Sequence, residues 1–386
     1  MDQRTIAVLS AGRSDFGRYR PVLRALAKKE NVIIRLYPGG SHFSDTFGNS
    51  ISEIIAAGFD WQSGLENAVA NGAPESVGET IGLGAGMLAQ AFAAARPDLL
   101  VVLGDRFEML SAAVAALGFN IPIAHIHGGA VTEGAIDELV RHALTKMSHL
   151  HLVSCDEYAG RVRQMGEEAW RVTVTGAPGL DELKELASLG LAETSDRVGL
   201  DLRSPTIVVC YHPVTLEVDR TGGQTKNLLA AVAATGLQAV LTYPNADQGN
   251  SVIIEALEAF AAANPDTVRL IKNAGTDLFI SLLSHAAVLV GNSSSGIVEA
   301  PAFELPVVNI GSRQDGKVKA KNVIDVADSQ EAIGGGIEKA LGAGFKESLK
   351  GLKNPYGDGR AGERIADILA AIPIDDRLLR KKFIDL

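Results

Sequence analysis

The sequence predicts an α/β protein made of two doubly wound, Rossmann-like domains of similar size. Three observations support this fold class: short apolar runs recur along the chain, amphipathic helical stretches separate them, and the rhythm restarts once near the middle. Runs that are apolar throughout, rather than alternating, are typical of strands covered on both faces. A strand followed by a helix, repeated, indicates a parallel sheet with right-handed crossovers.

The predicted strands fall into two sets. The first set is Thr5–Leu9, Val32–Tyr37, Leu99–Leu103, Ile121–His125, Leu150–Val153 and Val172–Val174. The second set is Thr206–Tyr211, Ala239–Tyr243, Val268–Ile271, Ala286–Val290 and Val307–Ile310. Helical patterns between them include Tyr19–Lys29, Gly86–Ala95 and Leu228–Thr235.

The boundary between the domains lies in a stretch rich in Leu, Glu and Ser, from Leu183 to Ser204. We therefore predict an N-terminal domain over residues 1–182 and a C-terminal domain over residues 203–364. Sheets of this type bind ligands outside the carboxyl ends of their strands, so we expect the ligand in a cleft between the domains. Residues 365–386 are predicted to form a terminal helix followed by positive charge, and a solvated helix is the simplest interpretation.

Composition and charge exclude several classes of function. The chain of 386 residues has a formal net charge of -10, which disfavours nucleic acid and anionic membranes as partners. It contains no run of 18 apolar residues, and its polar start leads straight into a strand, so we expect no membrane span and a cytoplasmic location. Cys155 and Cys210 lie in or beside apolar runs and fit no zinc spacing, so we expect buried thiols and no metal site.

Two glycine-rich stretches resemble nucleotide-binding loops, but each lacks a feature that such a loop requires. Gly82–Gly86 follows a polar loop rather than a strand, which does not fit a dinucleotide fingerprint. Gly311–Lys317 has the spacing of a P-loop, but Val318 stands where a hydroxyl residue would bind Mg²⁺. We therefore expect neither a dinucleotide cofactor nor ATP hydrolysis.

A third stretch, Gly291–Gly296, follows a predicted strand and precedes a predicted helix. Its small residues let the backbone approach an anion, while Ser293, Ser294 and the amides at the helix start supply donors. Glu299, one turn further, is a candidate acceptor for ribose hydroxyls. Because a helix cap needs only one serine, three in a row favour phosphate binding over capping alone.

Charged and imidazole side chains also follow the predicted strands of the first domain. Arg13 and Arg18 follow the first strand and could meet a diphosphate or orient a carboxylate. Asp105 and Arg106 follow the third strand, and His127 follows the fourth. Such groups suit proton transfer at a sugar carbon, although a lone histidine is more often structural.

Further polar residues lie on a predicted helix and in the second domain. Asp137 and Arg141 are spaced i,i+4, which places them on one helix face, where a surface salt bridge is the simpler interpretation. His212, Asn245 and Asp247 close strands of the second domain.

Taken in order, these motifs resemble those of the hydrolysing UDP-N-acetylglucosamine 2-epimerases, which open sialic-acid and related nonulosonic-acid pathways. The resemblance covers nearly the whole chain and includes Arg13-Ser14-Asp15, Gly40-Ser41-His42, Gly104-Asp105-Arg106, His125-Ile126-His127-Gly128-Gly129, Thr132–Glu138, Arg141-His142, Thr145-Lys146, Gly176-Ala177-Pro178, Pro244-Asn245, Gly291–Gly296 and Gly311-Ser312-Arg313-Gln314. It implies the glycosyltransferase-B type of fold, with the C-terminal helix near 365–386 returning to the first domain. Relatives are commonly dimers or tetramers, so a homo-oligomer is expected.

The resemblance also implies a reaction without a redox cofactor. UDP leaves C1 of UDP-N-acetylglucosamine while C2 loses a proton, and water then adds to the resulting 2-acetamidoglucal to release N-acetylmannosamine. For this chemistry our candidates are Asp105, Asp137 and His127 at the sugar, and Arg13 and His212 at the departing diphosphate. The residues expected to bind substrate or nucleotide are Arg18, His42, Arg106, Asn245, Asp247, Ser293, Ser294, Glu299 and Arg313.

Two departures from the family pattern leave the identity of the substrate sugar undetermined. Some relatives carry Glu where this chain has His127, and Glu is common where it has Ala130. Histidine can itself act as an acid or base near neutral pH. Relatives acting on UDP- or GDP-linked 2,4-diacetamido-2,4,6-trideoxy sugars, as in legionaminic-acid-type pathways, look alike at this level. A glycosyltransferase of the same fold and a nucleotide-sugar sensor are further alternatives.

Overall fold

A computed structural model of the protein describes residues 3–43, 50–62, 64–65, 75–132, 136–183, 189–214, 217–244, 249–272 and 274–385. The chain divides into two compact units, the first made of residues 1–181 and 356–386 and the second of residues 182–355. Each unit contains a six-stranded parallel sheet with helices between its strands, so the predicted fold class is confirmed. The second segment of the first unit begins at Tyr356, earlier in the chain than the helix expected near residue 365.

The first sheet has the strand order β2-β1-β3-β4-β5-β6, and all neighbouring strands are parallel. Its strands are β1 (Arg4–Ser10), β2 (Val32–Pro38), β3 (Leu99–Leu103), β4 (Ile123–Ile126), β5 (Leu150–Val153) and β6 (Val172–Val174). The helices of this unit are α1 (Arg13–Ala27), α2 (Ile51–Ala56), α3 (Glu75–Ala94), α4 (Glu108–Leu117), α5 (Ile136–Met147), α6 (Asp156–Gln164), α14 (Ala361–Ala371) and α15 (Asp376–Leu379). The strand order reverses between β1 and β3, which is where sheets of this type bind ligands.

Both faces of the first sheet are buried, which explains why its strands are apolar throughout. On β3, Leu99 and Val101 join a core cluster that includes side chains of α1 and α14. Leu100 and Val102, one residue out of phase, join a second cluster with side chains of α3 and α4. Gly82–Gly86 lies inside α3, so it does not open a helix after a strand.

A segment that we call the C-terminal strap, residues 356–385, completes the first unit. Its helix α14 packs against α1. The carboxylate of Asp181 accepts hydrogen bonds from the first amides of α14, those of Ala361 (3.0 Å) and Gly362 (2.5 Å). From β1, Arg4 donates to the carbonyl of Leu369 on the same helix (2.7 Å).

Charged side chains hold the end of the strap at the amino end of the first sheet. The fully buried side chain of Glu167 accepts hydrogen bonds from His151 Nε2 (2.9 Å), Lys146 Nζ (2.6 Å) and Lys381 Nζ (3.0 Å). Burial opposes the charge on Glu167, but these donors outweigh it and lower the pKa of the carboxyl to about 2. Together with Arg171, these residues are called the amino-end cluster.

Arg171 is the fully buried cation of this cluster. Its guanidinium donates to the carboxylate of Glu168 (2.7 Å) and to four backbone carbonyls, those of His149, Arg377, Leu378 and Arg380. Two guanidinium groups lie over the Trp170 ring, that of Arg171 at 4.2 Å from the ring centroid and that of Arg377 at 4.4 Å. Three of the four carbonyls belong to the strap, so Arg171 joins the strap to the sheet.

The second sheet has the order β12-β11-β10-β7-β8-β9 and is also parallel. Its strands are β7 (Thr206–Cys210), β8 (Gln238–Thr242), β9 (Val268–Ile271), β10 (Val288–Gly291), β11 (Val307–Ile310) and β12 (Val323–Val326). Its helices are α7 (Leu191–Val198), α8 (Thr221–Ala234), α9 (Asn250–Ala263), α10 (Gly275–His285), α11 (Ser295–Val298), α12 (Gln330–Leu341) and α13 (Ala343–Ser348). Here the order reverses between β7 and β10.

The strand β12 was not predicted. It is the outermost strand of its sheet, and Asp325 in it is exposed, so the run is not apolar throughout. In the part of the chain that the structure describes, no helix is long and apolar enough to cross a membrane.

Candidate active site

Predicted site residues of the first unit follow its strands at the carboxyl end of the sheet. Arg13 comes after β1, Asp105 after β3 and His127 after β4, while Ser154 comes after β5. Strands β1 and β3 flank the reversal of strand order. Residues from several strands therefore meet where such sheets bind their ligands.

A buried arginine of α5 organises this end of the sheet. Arg141 is only 4% exposed and forms an ion pair with Asp105, whose side chain remains 29% exposed. Arg141 also donates to the hydroxyl of Thr132 (2.8 Å), the carbonyl of Ala130 (3.1 Å) and the carboxylate of Glu138 (3.1 Å). Burial lowers the pKa of Arg141 to about 10, which leaves it charged at neutral pH. Asp105 is thus fixed in place while part of its carboxylate stays accessible.

The partner of Arg141 on its own helix is Glu138, not Asp137. One oxygen of Glu138 accepts from the amide of Thr132 (2.6 Å) and from Arg141, and the other lies 2.9 Å from His142 Nε2. The structure therefore lacks the surface salt bridge between Asp137 and Arg141 considered above. Asp137 forms no ion pair with the residues that the structure describes.

A second group of charges surrounds Arg106. Its Nη2 (2.5 Å) and Nε (3.2 Å) donate to the two oxygens of Glu108. Burial alone would lower the pKa of Arg106, but the carboxylates of Glu108, Asp15 and Asp137 raise it overall. Asp15 is 1% exposed, and burial raises the pKa of its carboxyl to about 6 against the opposing charges of Arg106 and Arg18. The pKa of Asp15 is therefore higher than that of an ordinary aspartate.

His127 has a backbone φ of +64°, in the left-handed region that residues other than glycine rarely adopt. Its amide donates to the carbonyl of Leu152 (3.1 Å), and its Nδ1 lies 2.5 Å from Ser154 Oγ. Burial lowers the pKa of the imidazole to about 3, and the charge of Arg18 acts in the same direction. The ring is therefore neutral at neutral pH and fixed in orientation.

His125 supports the turn that carries Asp105. Its fully buried ring donates from Nε2 to the carbonyl of Gly104 (2.7 Å), since a carbonyl can only accept. Gly104 has a φ of +72° and begins the turn. Burial lowers the pKa of His125 to about 4, so this ring is neutral as well.

The other predicted residues of the first unit differ in their accessibility. Arg13 and Arg18 are exposed, and Arg13 forms an ion pair with a glutamate of α2 (2.8 Å). His42 is fully buried, with one ring nitrogen 2.8 Å from Ser10 Oγ and the other 2.8 Å from Ser50 Oγ. Both ring nitrogens thus have hydroxyl partners, and the substrate-binding role of His42 stays a prediction.

In the second unit, Asn292 joins the loops that follow β7 and β10. Its Oδ1 accepts from the amide of His212 (2.7 Å), and its Nδ2 donates to the carbonyl of His212 (2.8 Å). Gly291 precedes it with a φ of +144°, and a Cβ atom there would lie 2.0 Å from the carbonyl oxygen of Cys210. Only glycine fits, and the two loops meet where the order of the second sheet reverses.

Two residues after β11 contact the same loop. The carbonyl of Asn292 accepts from Arg313 Nη1 (3.1 Å) and Gln314 Nε2 (2.8 Å). Burial, and then the charge of Arg313, lowers the pKa of His212 to about 4. The end of this sheet thus holds a neutral imidazole close to a guanidinium.

The serine loop itself is short. Ser293 Oγ accepts from the amide of Ser295 (3.2 Å), and Ser294 immediately precedes α11. Because α11 has only four residues, its dipole is small, and phosphate binding would rely mainly on the hydroxyls and amides of the loop. Glu299 follows α11 directly. The binding roles of Ser293, Ser294 and Glu299 stay predictions.

Asn245 and Asp247 lie outside the described residues, so the structure does not place them. Residues that the sequence interpretation left without a role include Asn292, Glu138 and Ser154. The first two lie inside quoted motifs, whereas Ser154 shows only as a polar residue directly after a predicted strand. Within the described ranges, no group of three or more His, Cys, Asp or Glu side chains is arranged to hold a metal ion.

Comparison with curated proteins finds relatives that match this chain along almost its full length. UDP-N,N'-diacetylbacillosamine 2-epimerase (hydrolyzing) of Legionella pneumophila is 37% identical over 98% of each chain. GDP/UDP-N,N'-diacetylbacillosamine 2-epimerase (hydrolyzing) of Campylobacter jejuni is 34% identical over 100% of each. UDP-N-acetylglucosamine 2-epimerase of Neisseria meningitidis is 28% identical over 99% of each.

Solved structures show the same fold. The crystal structure of UDP-GlcNAc 2-epimerase from Neisseria meningitidis bound to UDP-GlcNAc superposes with a TM-score of 0.80 at 18% identity, covering 95% of this chain and 99% of the other. The sequence model of the UDP-N-acetylglucosamine 2-epimerase family matches residues 24–370. With most of the chain matched and relatives above 30% identity, the protein belongs to the UDP-N-acetylglucosamine 2-epimerase family.

Proposed function

We propose that this enzyme is a hydrolysing 2-epimerase whose substrate is UDP-N,N'-diacetylbacillosamine, a UDP-linked 2,4-diacetamido-2,4,6-trideoxy sugar. The observation that carries the proposal is the 37% identity over 98% of both chains with the Legionella enzyme of that name. The Neisseria UDP-N-acetylglucosamine enzyme is less similar, at 28%. UDP-N-acetylglucosamine, the main expectation from the sequence, is therefore the second candidate.

The proposed reaction has two balanced steps. First the bond between C1 and the diphosphate oxygen breaks, UDP leaves with the electron pair, and C2 loses its proton to a base, which forms a C1=C2 double bond. Water then adds, with its hydroxyl at C1 and a proton at C2 on the opposite face from the one lost. The products are UDP and the free 2-epimeric sugar.

The carboxyl end of the first sheet offers the groups that the sugar chemistry requires. Asp105 and Asp137 are the proposed carboxylates that deprotonate C2 or stabilise positive charge at C1. Arg141 holds Asp105 by an ion pair while 29% of the aspartate stays exposed, so a substrate could reach it. A carboxylate fixed in this way has little freedom to lose on reaching the transition state, which favours catalysis.

The second unit offers groups suited to the leaving diphosphate. Arg313 and His212 lie beside the Gly291–Gly296 loop. Arg13 of the first unit is exposed, and its role at the diphosphate rests on the family resemblance alone. Cations and oriented amides that meet the charge developing on the diphosphate lower the barrier to its departure. We assign Ser293, Ser294 and Glu299 to phosphate and ribose binding.

Turnover of a substrate panel in D₂O, followed by NMR, tests the proposal. The panel contains UDP-N,N'-diacetylbacillosamine, its GDP analogue and UDP-N-acetylglucosamine. We expect the highest kcat/KM with the first compound, together with release of UDP and a free sugar that carries deuterium at C2.

Other outcomes would contradict the proposal in distinct ways. A higher kcat/KM with UDP-N-acetylglucosamine would establish the second candidate instead. An epimer still linked to the nucleotide would exclude hydrolysis, and product without deuterium at C2 would exclude the elimination step.

A further inference from the structure

The turn that carries His127 is held more tightly than a surface loop requires. Gly129, two residues later, has a φ of +77°, and a Cβ atom there would lie 2.5 Å from the carbonyl oxygen of Tyr158. The carbonyl of Gly129 accepts a hydrogen bond from the guanidinium of Arg161. A left-handed histidine persists only where the surroundings fix the backbone, and such strain concentrates at functional sites. The turn therefore holds one imidazole in one position.

The hydrogen bond to Ser154 decides which ring nitrogen carries the proton. Ser154 is 2% exposed, and its hydroxyl has no other hydrogen-bond partner among the residues that the structure describes. If Nδ1 carried the proton, it would donate to Ser154, and the buried serine O–H would have no acceptor among the described residues, which is unfavourable. If Ser154 donates to Nδ1, both groups are satisfied, and the proton of the neutral ring lies on Nε2.

We propose that Ser154 holds His127 as the Nε2–H tautomer, so that His127 donates a hydrogen bond to an acceptor oxygen of the substrate instead of removing the C2 proton. Ser154 is then a positioning residue, and His127 is the group that touches substrate. The inference rests on the proposed function for the identity of the reaction, but not for the state of the ring. It replaces the acid–base role expected of His127 and leaves proton transfer to Asp105 and Asp137.

The neutral state of the ring agrees with this assignment. Burial lowers the pKa of His127 to about 3, with the charges of Arg18 and of a protonated His125 acting in the same direction. A ring that stays neutral throughout the working pH range has no proton to give as a general acid. It still offers one N–H donor at constant strength.

The tautomer can be observed directly in the full-length protein labelled with ¹⁵N-histidine. The chain has eight histidines, and the spectrum of His127→Gln identifies the signals of His127 by their loss. We expect Nε2 to carry the proton and the ring not to titrate between about pH 5 and 8. A proton on Nδ1, or titration within that range, would overturn the proposal. This measurement needs no substrate, so its failure is separate from a failure of the proposed function.

Serine variants test the positioning role. Ser154→Ala should convert the His127 signals to a mixture of tautomers and lower kcat more than it raises KM. The matched control is Ser148→Ala, which removes another buried hydroxyl, bonded to the carbonyl of Leu144 (2.7 Å), in the same unit. It should leave the His127 signals unchanged. Unchanged His127 signals in Ser154→Ala would contradict a positioning role, and Ser154→Thr should restore the single tautomer.

Two variants of His127 separate a donor from a base, because they predict opposite orders of activity. Glutamine places an N–H donor near the position of Nε2, whereas glutamate places a base there. A donor role predicts that kcat of His127→Gln stays within about tenfold of the wild-type value. Complete loss of one hydrogen bond of about 1.4 kcal/mol would lower kcat tenfold, and glutamine keeps a donor. His127→Glu should lose more than His127→Gln. The reverse order, with glutamate the more active, would show that His127 acts as a base.

Discussion

The two ends of the first sheet carry the same kinds of side chain but surround them differently. At the amino end, Glu167 is fully buried with three cationic or imidazole donors, and Arg171 is saturated by one carboxylate and four carbonyls. At the carboxyl end, Arg141 is equally buried, but its partner Asp105 is partly exposed. Residue type therefore does not separate the structural charges of this protein from those proposed to act in catalysis. What separates them is whether a charged atom is left accessible once its protein partners are counted.

Breaking the amino-end cluster should affect stability most. In Arg171→Ala, four backbone carbonyls and Glu168 lose their buried donor, so we expect the free energy of unfolding to fall by about 3–5 kcal/mol. Urea unfolding measures it. Arg377→Ala is the control, because this exposed arginine also lies over the ring of Trp170 and its loss should lower stability by less than about 1 kcal/mol. Equal losses in both variants would show that Arg171 is not the main attachment of the strap.

Acid should act on His125 and on Glu167 in different pH ranges. The folded pKa of His125 lies near 4, below its ordinary 6.5, so the unfolded chain binds the proton first and stability falls as the pH drops from 6.5 to 4. Glu167 titrates near 2 when folded, so its contribution is lost only as the pH falls from 4.5 towards 2. His125→Gln should remove a loss of about 3 kcal/mol in the upper range and leave the lower range intact.

Urea unfolding of the wild type and His125→Gln at successive pH values tests this separation. The difference in stability between the two proteins should change between pH 6.5 and 4 and stay constant below that range. A constant difference across the whole range would mean that His125 contributes no acid sensitivity.

Asparagine variants of the aspartates that precede and follow β3 compare the effect of the two ends of the sheet on turnover. Asp105→Asn should lower turnover at least about 100-fold, or 2.7 kcal/mol, and leave UDP affinity within a few-fold. Asp98 lies at the other end of the same strand, where it accepts a hydrogen bond from the amide of Thr5 (2.8 Å). Asp98→Asn keeps an acceptor there and should leave turnover unchanged. Steady-state UDP release with the preferred substrate measures both, and unchanged turnover in Asp105→Asn would remove Asp105 from the mechanism.

The smallest effect is expected at the carboxyl end of the second sheet. Ser294→Ala removes one hydroxyl proposed to bind phosphate, so UDP affinity should fall about fivefold, which corresponds to about 1 kcal/mol, with little change in turnover at saturation. Ser329→Ala is the matched control, because Ser329 caps α12 by accepting from the amide of Ala332 (3.2 Å). It should lower stability by about 1 kcal/mol and leave UDP affinity unchanged. Titration calorimetry with UDP distinguishes the two, and a loss confined to turnover would contradict phosphate binding by Ser294.

The fold was predictable because its signals are local. Strands buried on both faces need apolar residues at every position. Runs such as Leu99–Leu103 are apolar throughout, so they can be recognised directly in the sequence. The exception, Val323–Val326, is an outer strand that contains an exposed aspartate, so the packing constraint is weaker there.

The candidate site was predictable only in part because its contacts are not local. Spacing suggested that Arg141 would pair with Asp137, four residues away, yet it pairs with Asp105, which is 36 residues away. His127 meets Ser154 because β4 and β5 are neighbours, and Asn292 meets His212 because β10 and β7 are. Strand order is the information that a list of strands lacks.

The C-terminal strap has a consequence for how the chain is made. The first unit needs the partners of Arg4, Asp181 and Arg171, and those partners come from residues 361–380. A ribosome therefore finishes the whole second unit before it releases the last part of the first. Until then β1 to β6 and their helices lack α14, and the apolar surface of α1 that packs against α14 stays uncovered. A released chain truncated before residue 361 should therefore hold a folded second unit beside a first unit dependent on chaperones.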